Sequence, residues 1–289
     1  MSEIEKILNL KEKKIKKNFF SRINSLIKES FNNTFKTYYE FKRFKKKVRT
    51  FNGWGLTTTD TIPPWENKVN KENIFFNKVN SNLINLVNKK EFRLTQFEYK
   101  NTDYEKILDE LAWRHYIVFN SVILASKNIS SNNMNLAECG VCDGLTIYFA
   151  IKASEISNKA KKAYLYDSWE TLADDKLRFK YDYLDINITK KNLDTFQDNL
   201  VFNKGLIPNI FKSATNPPEV SWLHIDLNST DATKASLDFF YQKLISGGII
   251  LFDDYGGFED TRKIIDNFFD GKNGHFINFP TGQGVFIKI

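Results

Sequence analysis

From residue 135 onward the chain alternates short apolar runs with longer stretches of helical length, and that alternation is the strongest constraint on its fold. The runs predicted as strands are Asn135–Cys139, Ala163–Asp167, Leu200–Asn203, Val220–Asp226, Gly248–Asp253, His275–Phe279 and Val285–Ile289. Helical segments fill the gaps between the first six, the pattern of a mostly parallel sheet covered on both faces. Only Pro280-Thr281-Gly282-Gln283-Gly284 joins the last two, too short for a helical crossover, so they should run antiparallel. The expected fold class is α/β: a doubly wound, mostly parallel seven-stranded sheet with an antiparallel C-terminal strand and an N-terminal helical extension.

Charge divides the chain at a different place. Residues 1–50 hold 15 Lys or Arg against 5 Glu, whereas the remaining 239 residues hold 27 against 30. The net charge of +7 therefore belongs to an N-terminal arm, and no nucleic-acid groove is expected across the main domain. Within the arm, Ile15, Phe19, Ile23, Ile27, Phe31 and Phe35 recur every four residues, the spacing of one helix face. That face suits docking on its own domain or on a second subunit in a homo-oligomer. With Lys42-Arg43-Phe44-Lys45-Lys46-Lys47 it also suits peripheral contact with an anionic membrane. Residues 51–70, with Trp54 and Trp65, read as a loop. Helices are expected over about 72–90 and 103–128. The division predicted is a basic, mainly helical extension over 1–100 and a catalytic domain over 101–289. No apolar run approaches the roughly 18 residues of a bilayer span. Lysines stand where a secretory signal needs its apolar region, and the only cysteines are Cys139 and Cys142, so a cytoplasmic protein is expected.

The first strand runs into Glu138-Cys139-Gly140-Val141-Cys142-Asp143-Gly144. Glycines after a strand let the backbone turn tightly and approach a ligand. The spacing of Gly140 and Gly144 is not that of a dinucleotide fingerprint, which argues against a dehydrogenase. A Glu-x-Gly-x-x-x-Gly loop is similar instead to the cofactor loop of S-adenosylmethionine enzymes. The second strand ends at Asp167, whose carboxylate could accept hydrogen bonds from ribose hydroxyls or cap the next helix. Cys139 and Cys142 lie inside the glycine loop, and His115, His224 and His275 offer no paired zinc-ligand spacing. Both thiols read as packing groups.

Two further strands end in acids: Trp222-Leu223-His224-Ile225-Asp226-Leu227-Asn228 and Gly248-Ile249-Ile250-Leu251-Phe252-Asp253-Asp254-Tyr255. If these strands are neighbours, Asp226, Asp253 and Asp254 meet at the carboxyl edge of the sheet, about one strand spacing of 5 Å apart. Carboxylates so crowded repel unless protonated or bridged by a cation, and hard oxygen ligands suit Mg²⁺ or another divalent ion. The competing reading of Asp253-Asp254 is a simple turn cap.

In this order the motifs resemble the macrocin O-methyltransferase (TylF-type) family of class I S-adenosylmethionine-dependent methyltransferases. The likeness spans about residues 110–289. It rests on the glycine loop, Asp167-Ser168-Trp169-Glu170, Gly205-Leu206-Ile207-Pro208, His224-Ile225-Asp226, Asp253-Asp254-Tyr255-Gly256 and Thr281-Gly282-Gln283-Gly284-Val285. The resemblance implies metal-assisted O-methylation of a sugar or glycan precursor. It implies cofactor contacts at Glu138, Gly140, Gly144, Asp167 and Ser168, and metal ligands Asp226, Asp253 and Asp254. Where the family has a second Asp, its proposed general base, this chain has Asn228, which takes no proton at neutral pH. Asp226, Asn228 and His224 are the expected catalytic group, the proton going to a metal-bound water or another side chain. His224 alternates onto the strand face of Asp226, and its competing reading is a satisfied core histidine. Asn228 and the basic arm also motivate a second reading, a binding or scaffolding module on a methyltransferase fold.

Overall fold

The computed structural model describes residues 73–87, 89–90, 92, 104–129, 134–157, 160–170, 184–279 and 281–289. The predicted arm helix over 1–50 and the loop over 51–70 lie outside the described residues.

A single seven-stranded sheet carries the chain. Its strands are β1 (Met134–Cys139), β2 (Ala160–Asp167), β3 (Leu200–Lys204), β4 (Val220–Ile225), β5 (Leu244–Phe252), β6 (Gly274–Asn278) and β7 (Gly284–Lys288). They lie in the order β3-β2-β1-β4-β5-β7-β6. The first five pair in parallel, and β7 runs antiparallel to both β5 and β6. Among the described residues the α-helices are α1 (Ile74–Val87), α2 (Tyr104–Asn128), α3 (Leu145–Ser157), α4 (Ile186–Asn192), α5 (Thr230–Phe240) and α6 (Glu259–Phe269). One expectation fails in detail. The β3–β4 crossover contains only a short 3₁₀ turn at Asn209–Lys212, because Pro208 precedes it and Pro217-Pro218 follows.

Residue alternation explains how both faces are covered. On β4, Trp222 packs toward α1, α2 and α3, while Leu223 and Ile225 pack toward α5 and α6. Every residue of β1 and β4 is buried, as expected of central strands with helices on both sides. In α1 the buried positions are Phe76, Val79, Leu83 and Val87, one helical face. Phe76 sits with its ring centroid 5.3 Å from Tyr116, 5.7 Å from Phe119 and 5.6 Å from Phe149, so α1 closes over the helices that cover β1.

The strand order reverses between β1 and β4. A crevice opens at such a switch point beyond the carboxyl ends of the strands, and ligands of open α/β sheets bind there. The glycine loop leaves β1 at this point, and Asp226 leaves β4 beside it.

Candidate active site

Gly140, Cys142 and Gly144 have φ of 87°, 54° and 90°, so the loop after β1 winds through the left-handed region. Gly140 has a second requirement. A Cβ there would lie 1.8 Å from the Asp226 carbonyl oxygen, so only a glycine lets the loop rest on the end of β4. Gly140 N–H donates to the Tyr166 carbonyl at 2.8 Å, and Asp226 N–H donates to the Cys139 carbonyl at 2.8 Å. The loop is thus stitched to both neighbouring strand ends.

Asp167 holds the loop from the other side. Its Oδ2 accepts from the N–H groups of Val141 and Cys142, each at 2.8 Å, and its Oδ1 accepts from Trp169 N–H at 2.8 Å. A carboxylate has about four acceptor positions, and three of these are taken by backbone. Burial raises the Asp167 pKa, while the backbone donors act the other way. Ser168 Oγ donates to the Glu170 carbonyl at 3.0 Å on the exposed side of the turn. The Trp169 indole N–H donates to the Cys142 carbonyl at 3.0 Å, and Asn192 Nδ2 donates to the Asp143 carbonyl at 2.9 Å. Residues in and after β2 and in α4 therefore clamp the loop, a role that no spacing in the sequence announces. Both cysteines are free thiols, with Cys139 buried at the end of β1.

Glu138 faces the neighbouring strand. It is paired in register with His224 across β1 and β4, and its Oε1 lies 2.8 Å from His224 Nδ1, both side chains being fully buried. Burial pushes the Glu138 carboxyl well up and His224 down to about 4, so both partners are driven toward neutral forms. His224 Nε2 has no hydrogen-bond partner and lies 4.0 Å from Asp253 Oδ1.

The three aspartates meet as the strand ends predict. Ile225 and Phe252 are register partners, and Asp253 N–H donates to the Ile225 carbonyl at 3.1 Å. One oxygen from each of Asp226, Asp253 and Asp254 falls within 4.8 Å of the others. Burial, and then the charge of Asp254, raise the Asp226 carboxyl to about 6. Two residues that the sequence left without a role complete the surroundings. Arg114, on α2, forms an ion pair with Asp253 Oδ2, and Gln283 Nε2 donates to Asp253 Oδ1 at 3.2 Å. Gln283 is buried, with its own backbone N–H donating to Thr281 Oγ1 at 3.3 Å. Gly256 N–H meets the Gly282 carbonyl at 2.7 Å, which pins the turn after Asp254 to the Thr281–Gly284 loop. Thr281-Gly282-Gln283-Gly284 was visible as a motif, whereas Arg114 sits mid-helix with nothing in its spacing to mark it.

Hard oxygen donors from three carboxylates, held within 4.8 Å of one another, fit a divalent cation. Asn228 stands two residues beyond Asp226 with φ of 50°, a conformation that Asn and Asp tolerate better than other side chains. Ser229 follows as the N-cap of α5. Backbone geometry alone therefore allows either residue at 228, and the choice of Asn removes a proton acceptor without disturbing the turn.

A family profile described as macrocin-O-methyltransferase (TylF) matches residues 46–281. Among solved structures, that of the O-methyltransferase NovP is 16% identical, with a TM-score of 0.54 over 74% of this chain and 98% of its own. That of CalS11, a calicheamicin methyltransferase, is 13% identical, with a TM-score of 0.47 over 82% and 98%. No curated protein sequence is similar enough to the chain to count as a relative.

Proposed function

Because the chain belongs to the macrocin O-methyltransferase family and is an O-methyltransferase, we propose that it transfers a methyl group to a hydroxyl of a sugar or glycan precursor, with a divalent cation at Asp226, Asp253 and Asp254. The observation that carries this reading is the junction of two half-sites: the glycine loop lies against the carbonyl of Asp226, at the switch point of the sheet. S-adenosylmethionine bound at Gly140–Gly144 would present its methyl group beside the aspartates.

Methyl transfer is an in-line displacement. The C–O bond forms as the S–C bond breaks, and S-adenosylhomocysteine leaves with the sulfonium charge neutralised. The protein must align oxygen, carbon and sulfur, and that alignment is where a rigid loop on a rigid sheet contributes. A Mg²⁺-like cation would lower the pKa of an acceptor hydroxyl and fix its oxygen. Gln283 orients Asp253 through its amide, and Gly140 would keep the methyl donor close to Asp226. Asn228 would hold the acceptor through its amide while the hydroxyl proton leaves to solvent.

Several lesser proposals accompany this one. The extension over 1–100 contributes to the acceptor side, the acceptor is a small molecule or glycan, and the enzyme works in the cytoplasm. The scaffolding alternative loses ground to family membership and to the meeting of Asp226, Asp253 and Asp254. Calorimetry with S-adenosylmethionine and S-adenosylhomocysteine, with and without Mg²⁺, followed by nucleotide-sugar and glycan acceptors, tests the reading. Binding of neither cofactor form would overturn it.

A further inference from the structure

We propose that Arg114 is the resident counter-cation of the aspartate site, occupying Asp253 in the metal-free protein and yielding it when a divalent ion enters. The inference rests on the metal reading above and concerns this chain's own response to the ion. Asp226, Asp253 and Asp254 bring three carboxylates within 4.8 Å. Arg114 forms an ion pair with Asp253 Oδ2. The other side chain bonded to Asp253, the Gln283 amide, carries no charge.

The side chain suits the task. A guanidinium remains charged at every accessible pH and is more weakly hydrated than an ammonium, so it can enter a partly dry carboxylate cluster. Arg114 is nevertheless 39% exposed, whereas the Asp253 side chain is 12% exposed. The guanidinium therefore reaches in from the rim on a long flexible stem and can withdraw without rearranging the core. His115, next along α2, stacks on Phe149 at 4.5 Å with planes 9° apart, so the backbone that carries Arg114 is anchored. An unpartnered buried nitrogen, His224 Nε2, points at the same carboxylate, which is the signature of a pocket whose polar groups are only part-satisfied by the protein.

Competition and positioning predict opposite signs. If Arg114 competes, removing its charge tightens metal binding and weakens the metal-free fold. If it only positions Asp253, removing it loosens metal binding. The experiment is Mg²⁺ and Mn²⁺ calorimetry on the full chain without cofactor, with thermal unfolding in EDTA and in saturating Mg²⁺. It compares wild type with Arg114→Gln and the charge-conserving Arg114→Lys. The expected result is roughly tenfold tighter metal binding by Arg114→Gln, from loss of one nearby positive charge. Its melting temperature should be lower than wild type in EDTA and restored by Mg²⁺, with Arg114→Lys close to wild type throughout. In wild type, the Arg114 Nε–H resonance should shift toward solvent-exchanging values as Mg²⁺ is added, a measurement that needs no variant to fold. Equal or weaker metal binding by Arg114→Gln, or an Arg114 resonance unmoved by bound Mg²⁺, overturns the inference and leaves the metal site standing. If wild type and variants alike bind neither ion, the metal reading falls and takes this inference with it.

Discussion

Replacing Gly140 with alanine strikes the point where the glycine loop rests on the carbonyl of the aspartate strand. Two costs add. An alanine at φ of 87° carries left-handed strain, about 1–2 kcal/mol. Its Cβ would also sit 1.8 Å from the Asp226 carbonyl oxygen, when such contacts do not fall below 3.0 Å, so loop and strand end must part by more than an ångström. That separation stretches the Gly140-to-Tyr166 and Asp226-to-Cys139 backbone bonds, now both 2.8 Å, at about 1 kcal/mol each or more if they are left unmade. The total is roughly 3–5 kcal/mol, or a melting temperature lowered by about 6–20 °C for a domain of this size. Gly271→Ala supplies the control: its φ is 71° and nothing lies within 4 Å of a Cβ there, so it suffers the strain without the collision. Thermal unfolding of both variants, with calorimetry for S-adenosylmethionine and for Mg²⁺, reads the difference. Gly140→Ala should lose affinity for both ligands together. Melting within a degree or two of Gly271→Ala, or loss of cofactor binding with metal binding intact, would refute the coupling of the two half-sites.

His115 is buried and its imidazole is lowered to about 3 by desolvation, assisted by Arg114 and His224. A depressed base leaves stability undiminished above the unfolded value of 6.5 and costs it as pH falls toward 3, about 2 kcal/mol by pH 5. Urea unfolding should therefore show a shallower loss between pH 7 and pH 5 for His115→Phe than for wild type, and parallel profiles would count against it. Asn228→Asp keeps the left-handed turn and restores a proton acceptor, so turnover should rise roughly tenfold or more at neutral pH. An unchanged rate would place proton removal elsewhere. Asp254→Ala and EDTA should each abolish most methyl transfer without unfolding the protein, as checked by product formation and circular dichroism. Full activity in EDTA would exclude the cation.

Periodicity and strand-end chemistry made most of this architecture legible before any coordinates. The strands over 135–289 are all present within a few residues of their predicted ends. β4 and β5 are neighbours, as the pairing of Asp226 with Asp253 and Asp254 required. What stayed hidden involves contacts between distant segments. Arg114 lies in the middle of a helix whose sequence reads as ordinary packing. Its role exists only because α2 crosses the sheet beside β5. Asp167 was expected to meet a ribose or cap a helix, and backbone donors of the glycine loop and of Trp169 take three of its acceptor positions, donors that leave no trace in residue identity. The β3–β4 crossover misled for a local reason, since only eight residues separate Pro208 from Pro217-Pro218, and a proline pair cannot continue an α-helix.

The Glu138–His224 pair has a consequence for assembly of the sheet. Side chains alternate between faces, so sliding β1 by one residue against β4 would carry Glu138 to the face lined by Tyr166, Phe211 and Phe240. There its carboxyl would have aromatic rings for neighbours, while His224 on the other face would lose its partner. A buried polar group without a partner costs about 1–3 kcal/mol, and two are stranded at once. Apolar strands as uniform as these tolerate misalignment cheaply. One acid and one imidazole in the centre of the sheet act as a registration key, fixing which residues of β1 and β4 end level with each other, and so where the loop and the aspartate come to meet.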